Sequence, residues 1–213
     1  MSETARAYLP AAGKDWLLPL YDPIVKLFGG DRIRQALIDQ AGLRPGQRVL
    51  EVGCGTGTLD VMIKRQFPQV EVVGLDPDLK ALDRAHRKAA RAAVSIQFDQ
   101  GYADQLPYPG ASFDRVFSSF MFHHLPAEEK TGMLRAVRRV LKPDGALHLV
   151  DFEGPEDHAH GWFAHLFHSN ERLQANSEER VIAFMRECGF RAAHKVTRGR
   201  MFSGGVGYFR AEA

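Results

Sequence analysis

The stretch VLEVGCGTGTLD, Val49 to Asp60, places Gly53, Gly55 and Gly57 directly after a short apolar run. An acid, Glu51, stands two residues before the first glycine. A glycine loop between a strand and a helix lets backbone come close to a nucleotide-like ligand. The spacing is G-x-G-x-G, not the G-x-G-x-x-G of a dinucleotide pyrophosphate site. A carboxylate at Glu51 would repel a pyrophosphate and attract an ammonium. Asp76 closes the next apolar run, VEVVGLD, where a carboxylate can accept both hydroxyls of a ribose. The ligand that suits these residues has a ribose, a positive end and no obvious phosphate.

These side chains need a scaffold that brings the ends of separate strands together. RVLEV reads as a buried strand and TLDVMIKRQF as the helix after it. VEVVGLD, VSIQF and FDRVFSSF read as the second, third and fourth strands. PDLKALDRAHRKAARAA and PAEEKTGMLRAVRRVLK read as helices, the second with Glu128 and Glu129 in its first turn and basic residues in its last. KPDG is a turn signal before the fifth strand, ALHLVDF. Alternation of this kind implies right-handed crossovers and a mostly parallel sheet covered by helices on both faces. The end differs: SEERVIAFMREC reads as a helix, with Gly189 to Val196 and GGVGYFRAEA forming an antiparallel hairpin at one sheet edge. Asp31 is a plausible cap for the helix RIRQALIDQAG.

A chain of 213 residues suits one domain burying roughly 70% of its unfolded surface. Its expected organisation is an N-terminal helical lid (1–46), a ligand-binding core (47–152), and a substrate-side cap with the C-terminal strands (153–213). Basic and acidic residues number 28 and 26, so nothing calls for nucleic acid or an anionic membrane. Two cysteines make no disulfide scaffold, which fits a reducing compartment. Charges interrupt the N-terminal apolar stretch, and no run approaches the ~20 apolar residues of a membrane helix. The expectation is a cytoplasmic monomer or homodimer.

Between Gln47 and Phe152 the sequence resembles the class I S-adenosylmethionine-dependent methyltransferases of the small-molecule acceptor type. VLEVGCGTG is similar to their first motif and VVGLDPD to their second. GYADQLPYPGASFDRVFSSFMFHHL resembles the adenine-side segment and fourth strand, and LRAVRRVLKPDGALHLVDF the following helix and strand. The resemblance implies a Rossmann-like, seven-stranded sheet and S-adenosyl-L-methionine as cofactor, leaving S-adenosyl-L-homocysteine as product. It gives Gly53, Gly55 and Gly57 the cofactor's amino-acid end and ribose, with Cys54 between them as small loop packing. Glu51 would bind near the amino group, Asp76 the ribose hydroxyls, and Pro77 the adenine face. Ala103 and Asp104 would flank the adenine edge, and the Ser118 carbonyl would reach the methionine part. The family commonly reads G-D-A where this chain has GYA, so Tyr102 replaces the acid expected at adenine N6 and Asp104 or a backbone carbonyl substitutes.

Methyl transfer from a sulfonium is an in-line displacement that depends on alignment, worth up to ~7–11 kcal/mol, and needs a base only when the nucleophile arrives protonated. SSFMFHHLP lacks the N-P-P-Y signature of enzymes acting on bases or amides. Ser118 and Ser119 stand where a magnesium-dependent site would carry acids. Quinone C-methyltransferases share YDP at Tyr21–Pro23 but differ after the fourth strand. A small organic acceptor remains, with no metal. Tyr21 and His124 are the catalytic candidates, by resemblance to phosphobase methyltransferases that pair a lid tyrosine with a histidine after the fourth strand. The structural alternative has His124 capping the next helix. His158, His160, His165 and His168 read as polar positions on an amphipathic lid, not ligands, and His148 as a hydrogen-bonded strand residue. Two rival functions stay open: a dinucleotide-dependent oxidoreductase, and a non-catalytic S-adenosylmethionine-binding protein.

Overall fold

A computed structural model describes residues 29–153, 177–201 and 204–213. Tyr21, the histidines between 158 and 168 and the apolar residues around Trp16 lie outside them. The elements run α1 (Gly30–Ala41), β1 (Arg48–Val52), α2 (Thr58–Gln66), β2 (Glu71–Asp76), α3 (Leu79–Arg91), β3 (Gln97–Gln100) and β4 (Phe113–Ser119). After a 3₁₀ turn (Phe122–His124) come α4 (Ala127–Val140), β5 (Leu141–Phe152), α5 (Glu178–Glu187), β6 (Arg191–Met201) and β7 (Gly204–Glu212). The seven strands form one sheet in the order β3-β2-β1-β4-β5-β7-β6. The first five are parallel neighbours, and β7 pairs antiparallel with both β5 and β6. The doubly wound sheet and its edge hairpin are therefore as the alternation implied.

Period-two alternation sends each strand's side chains to two cores. Leu50, Val52, Val116 and Leu147 pack with Met133, Leu134 and Val137 of α4 and with Val181 and Met185 of α5. Val49, Val72 and Phe117 pack with Ile33, Leu37 and Ile38 of α1 and with Leu59 and Ile63 of α2. Glu51 shares the parity of Val49, so its carboxyl belongs to the α1 and α2 face. Residue Phe117 pairs with Glu51 in register, and Ser119 has the parity of Phe117. Two polar residues thus meet at the end of an apolar sheet face.

Three local expectations are corrected. Asp31 does not cap α1; Gly29 holds that position, and Asp31 lies in the first turn, 3.8 Å from Arg34. The third strand begins at Gln97 and not at Val94, because residues after α3 are spent leaving the helix: Ala93 has φ 51° and Val94 N–H donates to the Ala89 carbonyl. The KPDG turn lies inside β5, where pairing jumps from Phe113–Leu141 to Arg115–Ala146. His148 is a buried strand residue as expected, 3.1 Å from Gln40 Nε2 and stacked on Phe117. Burial, reinforced by Arg115 and Arg210, pushes its pKa down to about 3, so it packs as a neutral ring.

Candidate cofactor and acceptor site

The parallel register brings the carboxyl ends of β1, β2, β3 and β4 to one edge, beside the strand-order reversal where ligands of such sheets bind. The glycine loop crosses that edge. Its first residues are tied to β2: Gly53 and Cys54 N–H donate to the Leu75 carbonyl at 2.8 and 3.1 Å. Gly53 has φ 75°, and a Cβ there would overlap the Met121 side chain. Only glycine therefore fits, for conformation and for space. Gly57 closes the loop as the left-handed N-cap of α2.

Asp76 sits under this loop at the end of β2. Its Oδ2 accepts from Gly55 N–H at 2.8 Å and its Oδ1 from Asp78 N–H at 2.9 Å. Burial raises its pKa to about 6, and those two backbone bonds oppose the rise. At neutral pH the carboxylate is charged, and each oxygen keeps a lone pair for a hydroxyl. Pro77, half-buried, follows it, and Asp78 then caps α3 by accepting from Lys80 N–H. Asp76 pairs in register with Gln100, so Tyr102, Ala103 and Asp104 continue from β3 beside it, all half-buried.

The structure adds two residues that the sequence reading did not assign to the loop. Ser119 Oγ donates to Glu51 Oε1 at 2.7 Å, locking the acid's orientation. Asp60, in the first turn of α2, is fully buried against Glu51. Strand parity signals Ser119, which lies two residues beyond the register partner of Glu51. Asp60 is harder to find, because an acid in a first helical turn ordinarily reads as an exposed complement to the macrodipole. Among the described residues, Glu51 Oε2, Ser118 Oγ and both Asp60 oxygens are buried side-chain atoms with no hydrogen-bond partner. Buried acceptors left in this state point to a ligand that donates to them. S-adenosylmethionine, with ribose hydroxyls for Asp76 and an ammonium for Glu51, suits these acceptors and the loop that only glycine can form.

Beyond β4 the histidine pair divides. His123 is buried, with Nδ1 2.5 Å from Asp151 Oδ1 and its backbone N–H donating to Asp151 Oδ2 at 2.8 Å. Phe152 N–H adds a third bond to Asp151 at 2.7 Å. Burial alone would raise the Asp151 pKa, but the His123 ring and these bonds outweigh it and hold it below the ordinary carboxylate range. His124 is half-buried, its ring centroid 3.9 Å from that of His123. Helix α4 starts after Pro126, which holds the N-cap position and has no side-chain cap hydrogen bond.

Comparison with known proteins agrees with this edge. Residues 49–145 match a methyltransferase domain family. The demethylmenaquinone methyltransferase of Deinococcus radiodurans is 34% identical over 203 residues, 84% of this chain and 83% of that one. The 27-O-demethylrifamycin SV methyltransferase of Amycolatopsis mediterranei is 37% identical over 123 residues, 57% of this chain and 44% of that one. Among solved structures, an S-adenosylmethionine-dependent methyltransferase from Aquifex aeolicus superposes with a TM-score of 0.69 at 20% identity, covering 90% of this chain and 98% of its own. The oxidoreductase and non-catalytic readings give way to this combination of loop, acids and relatives. The chain belongs to the class I S-adenosylmethionine-dependent methyltransferases, and S-adenosylmethionine is its cofactor.

Proposed function

We propose that the enzyme methylates a small organic acceptor by in-line displacement, within a single domain made of an N-terminal helical lid (1–46), a cofactor-binding core (47–152) and a substrate-side cap with the C-terminal strands (153–213). The observation that carries this reading is the edge itself: Asp76 and Glu51 flank a loop that only glycine can form. The cofactor supplies an electrophilic methyl group on a sulfonium. Asp76 holds the ribose, Glu51 the ammonium, and Gly53, Gly55 and Gly57 give backbone access. Pro77, Ala103, Asp104 and the Ser118 carbonyl complete the cradle, with Tyr21 and His124 orienting or deprotonating the acceptor. Two relatives act, by name, on small molecules, a demethylmenaquinone and a demethylrifamycin. A ring-carbon acceptor of the quinol kind is the second reading, favoured by the near full-length match to the Deinococcus enzyme. A panel of small amines, hydroxyls, thiols and quinols, scored by S-adenosylhomocysteine release, separates them. Failure of every member, with cofactor binding intact, would overturn the small-acceptor reading.

Turnover should need no divalent metal. Asp151 is committed to His123, and Glu153 pairs with Lys195 and Arg198. Among the described residues no three His, Cys, Asp or Glu side chains converge as metal ligands. Undiminished rates in EDTA are the expected result; loss in EDTA restored by magnesium would contradict it. Among the same residues no helix is long and apolar enough to cross a membrane.

A further inference from the structure

Glu51 and Asp60 present four carboxyl oxygens, and among the described residues Ser119 Oγ is the one side-chain donor within hydrogen-bond reach of them. The acids lie side by side, 2% and 0% exposed, close enough to hydrogen-bond once one of them carries a proton. The charged neighbours do not resolve this. Arg34 on α1 attracts Glu51 but sits over the Phe120 ring beside Asp31. Lys88 on α3 attracts Asp60 while donating to the Thr56 and Thr58 hydroxyls at 3.0 and 2.5 Å. Asp76 on β2 adds negative charge, and burial keeps the Cys54 thiol protonated. Two adjacent buried carboxyls in this setting cannot both ionise without a further cation.

We infer that Glu51 and Asp60 form one proton-exchanging ammonium subsite, holding a shared proton in the free enzyme and releasing it when the cofactor's ammonium takes its place. The inference rests on the placement of the cofactor's amino-acid end beside Glu51, and Asp60 is the addition. The balance is simple. A pair of charge −1 with one proton meets R–NH3⁺, and the product is a pair of charge −2 on the ammonium plus one proton in solvent. No covalent bond to carbon changes.

The sign follows from linkage. Binding favours the doubly ionised pair, so affinity rises with pH while the free pair is still protonated. Burial is the main cause that raises both carboxyls, Asp60 to about 7. While the free pair still holds its proton, each pH unit should tighten binding by up to ~10-fold, with a plateau once that proton is lost. S-adenosylhomocysteine is the probe, because it keeps the ammonium and lacks the sulfonium.

Calorimetry at about pH 7, where Asp76 is charged, in two buffers of unlike ionisation enthalpy counts the protons. The expected result is release of about one proton, falling toward zero in both Asp60→Asn and Glu51→Gln. The wild-type count stands even if a variant folds poorly. Binding with no proton release and flat affinity across this range would overturn the inference alone. Release undiminished in both variants would also overturn it, assigning the proton to Asp76. No binding at any pH would instead overturn the underlying cofactor placement.

Discussion

Asp76→Ala is expected to weaken S-adenosylhomocysteine binding by about 100-fold or more. Two hydrogen bonds from ribose hydroxyls to a carboxylate contribute ~1.5–3 kcal/mol each, and ~3 kcal/mol in total corresponds to more than a hundredfold in affinity. The same carboxylate holds the Gly55 and Asp78 backbone N–H groups, so its removal also loosens the loop and the start of α3. Asp76→Asn separates the two effects. An amide oxygen can still accept from one backbone N–H, but the NH2 group cannot accept from a hydroxyl. An intermediate loss is expected for Asn, measured by calorimetry, with thermal unfolding as the check on folding. Unchanged affinity in the Ala variant would remove Asp76 from the ribose.

The second large effect concerns the acceptor side. His124→Ala should lower turnover by ~100-fold or more while leaving cofactor affinity in place, as expected for loss of a general base. His123 is engaged by Asp151, and His124 lies half-buried beside it, its ring centroid 3.9 Å away. A histidine imidazole suits proton removal from an amine or hydroxyl near neutrality. If Tyr21 holds the same proton path, Tyr21→Phe and His124→Ala will be non-additive. The measurement is single-turnover methylation of the acceptor that the panel identifies. Full activity in His124→Ala would reduce both residues to structural roles.

The legible parts of the sequence were those with a local signal. RVLEV ends at Gly53 and VEVVGLD at Asp76, so apolar runs and their terminating residues located β1 and β2 almost to the residue. The glycine spacing, read with Glu51, was enough to favour an ammonium over a pyrophosphate. What escaped was set by distance along the chain or by competition at an element's end. The Ser119–Glu51 bond spans four intervening elements and follows from register, which composition does not carry. Asp60 had an adequate local explanation as a first-turn acid, and that masked its burial. His123 and His124 look equivalent in sequence; Asp151, arriving on β5, distinguishes them. The start of β3 was misplaced because Val94 and Ile96 favour a strand, while the chain is still closing α3 there.

Cys54 has a consequence for experiment that its chemistry alone would not suggest. It is 6% exposed, and a Cβ added at Gly74 would lie 2.9 Å from its Sγ, so the thiol fits closely between loop and sheet. Burial and the surrounding acids push its pKa well above the ordinary thiol value. Reagents that attack thiolates will therefore find it only when the loop lifts away from β2. Alkylation under native conditions becomes a clock for that opening, read as a local free energy in the manner of amide exchange. Cys188, buried behind α4 and bonded to the Thr131 carbonyl, supplies an internal reference from outside the site. A cofactor that pins the loop should slow the first reaction and leave the second untouched.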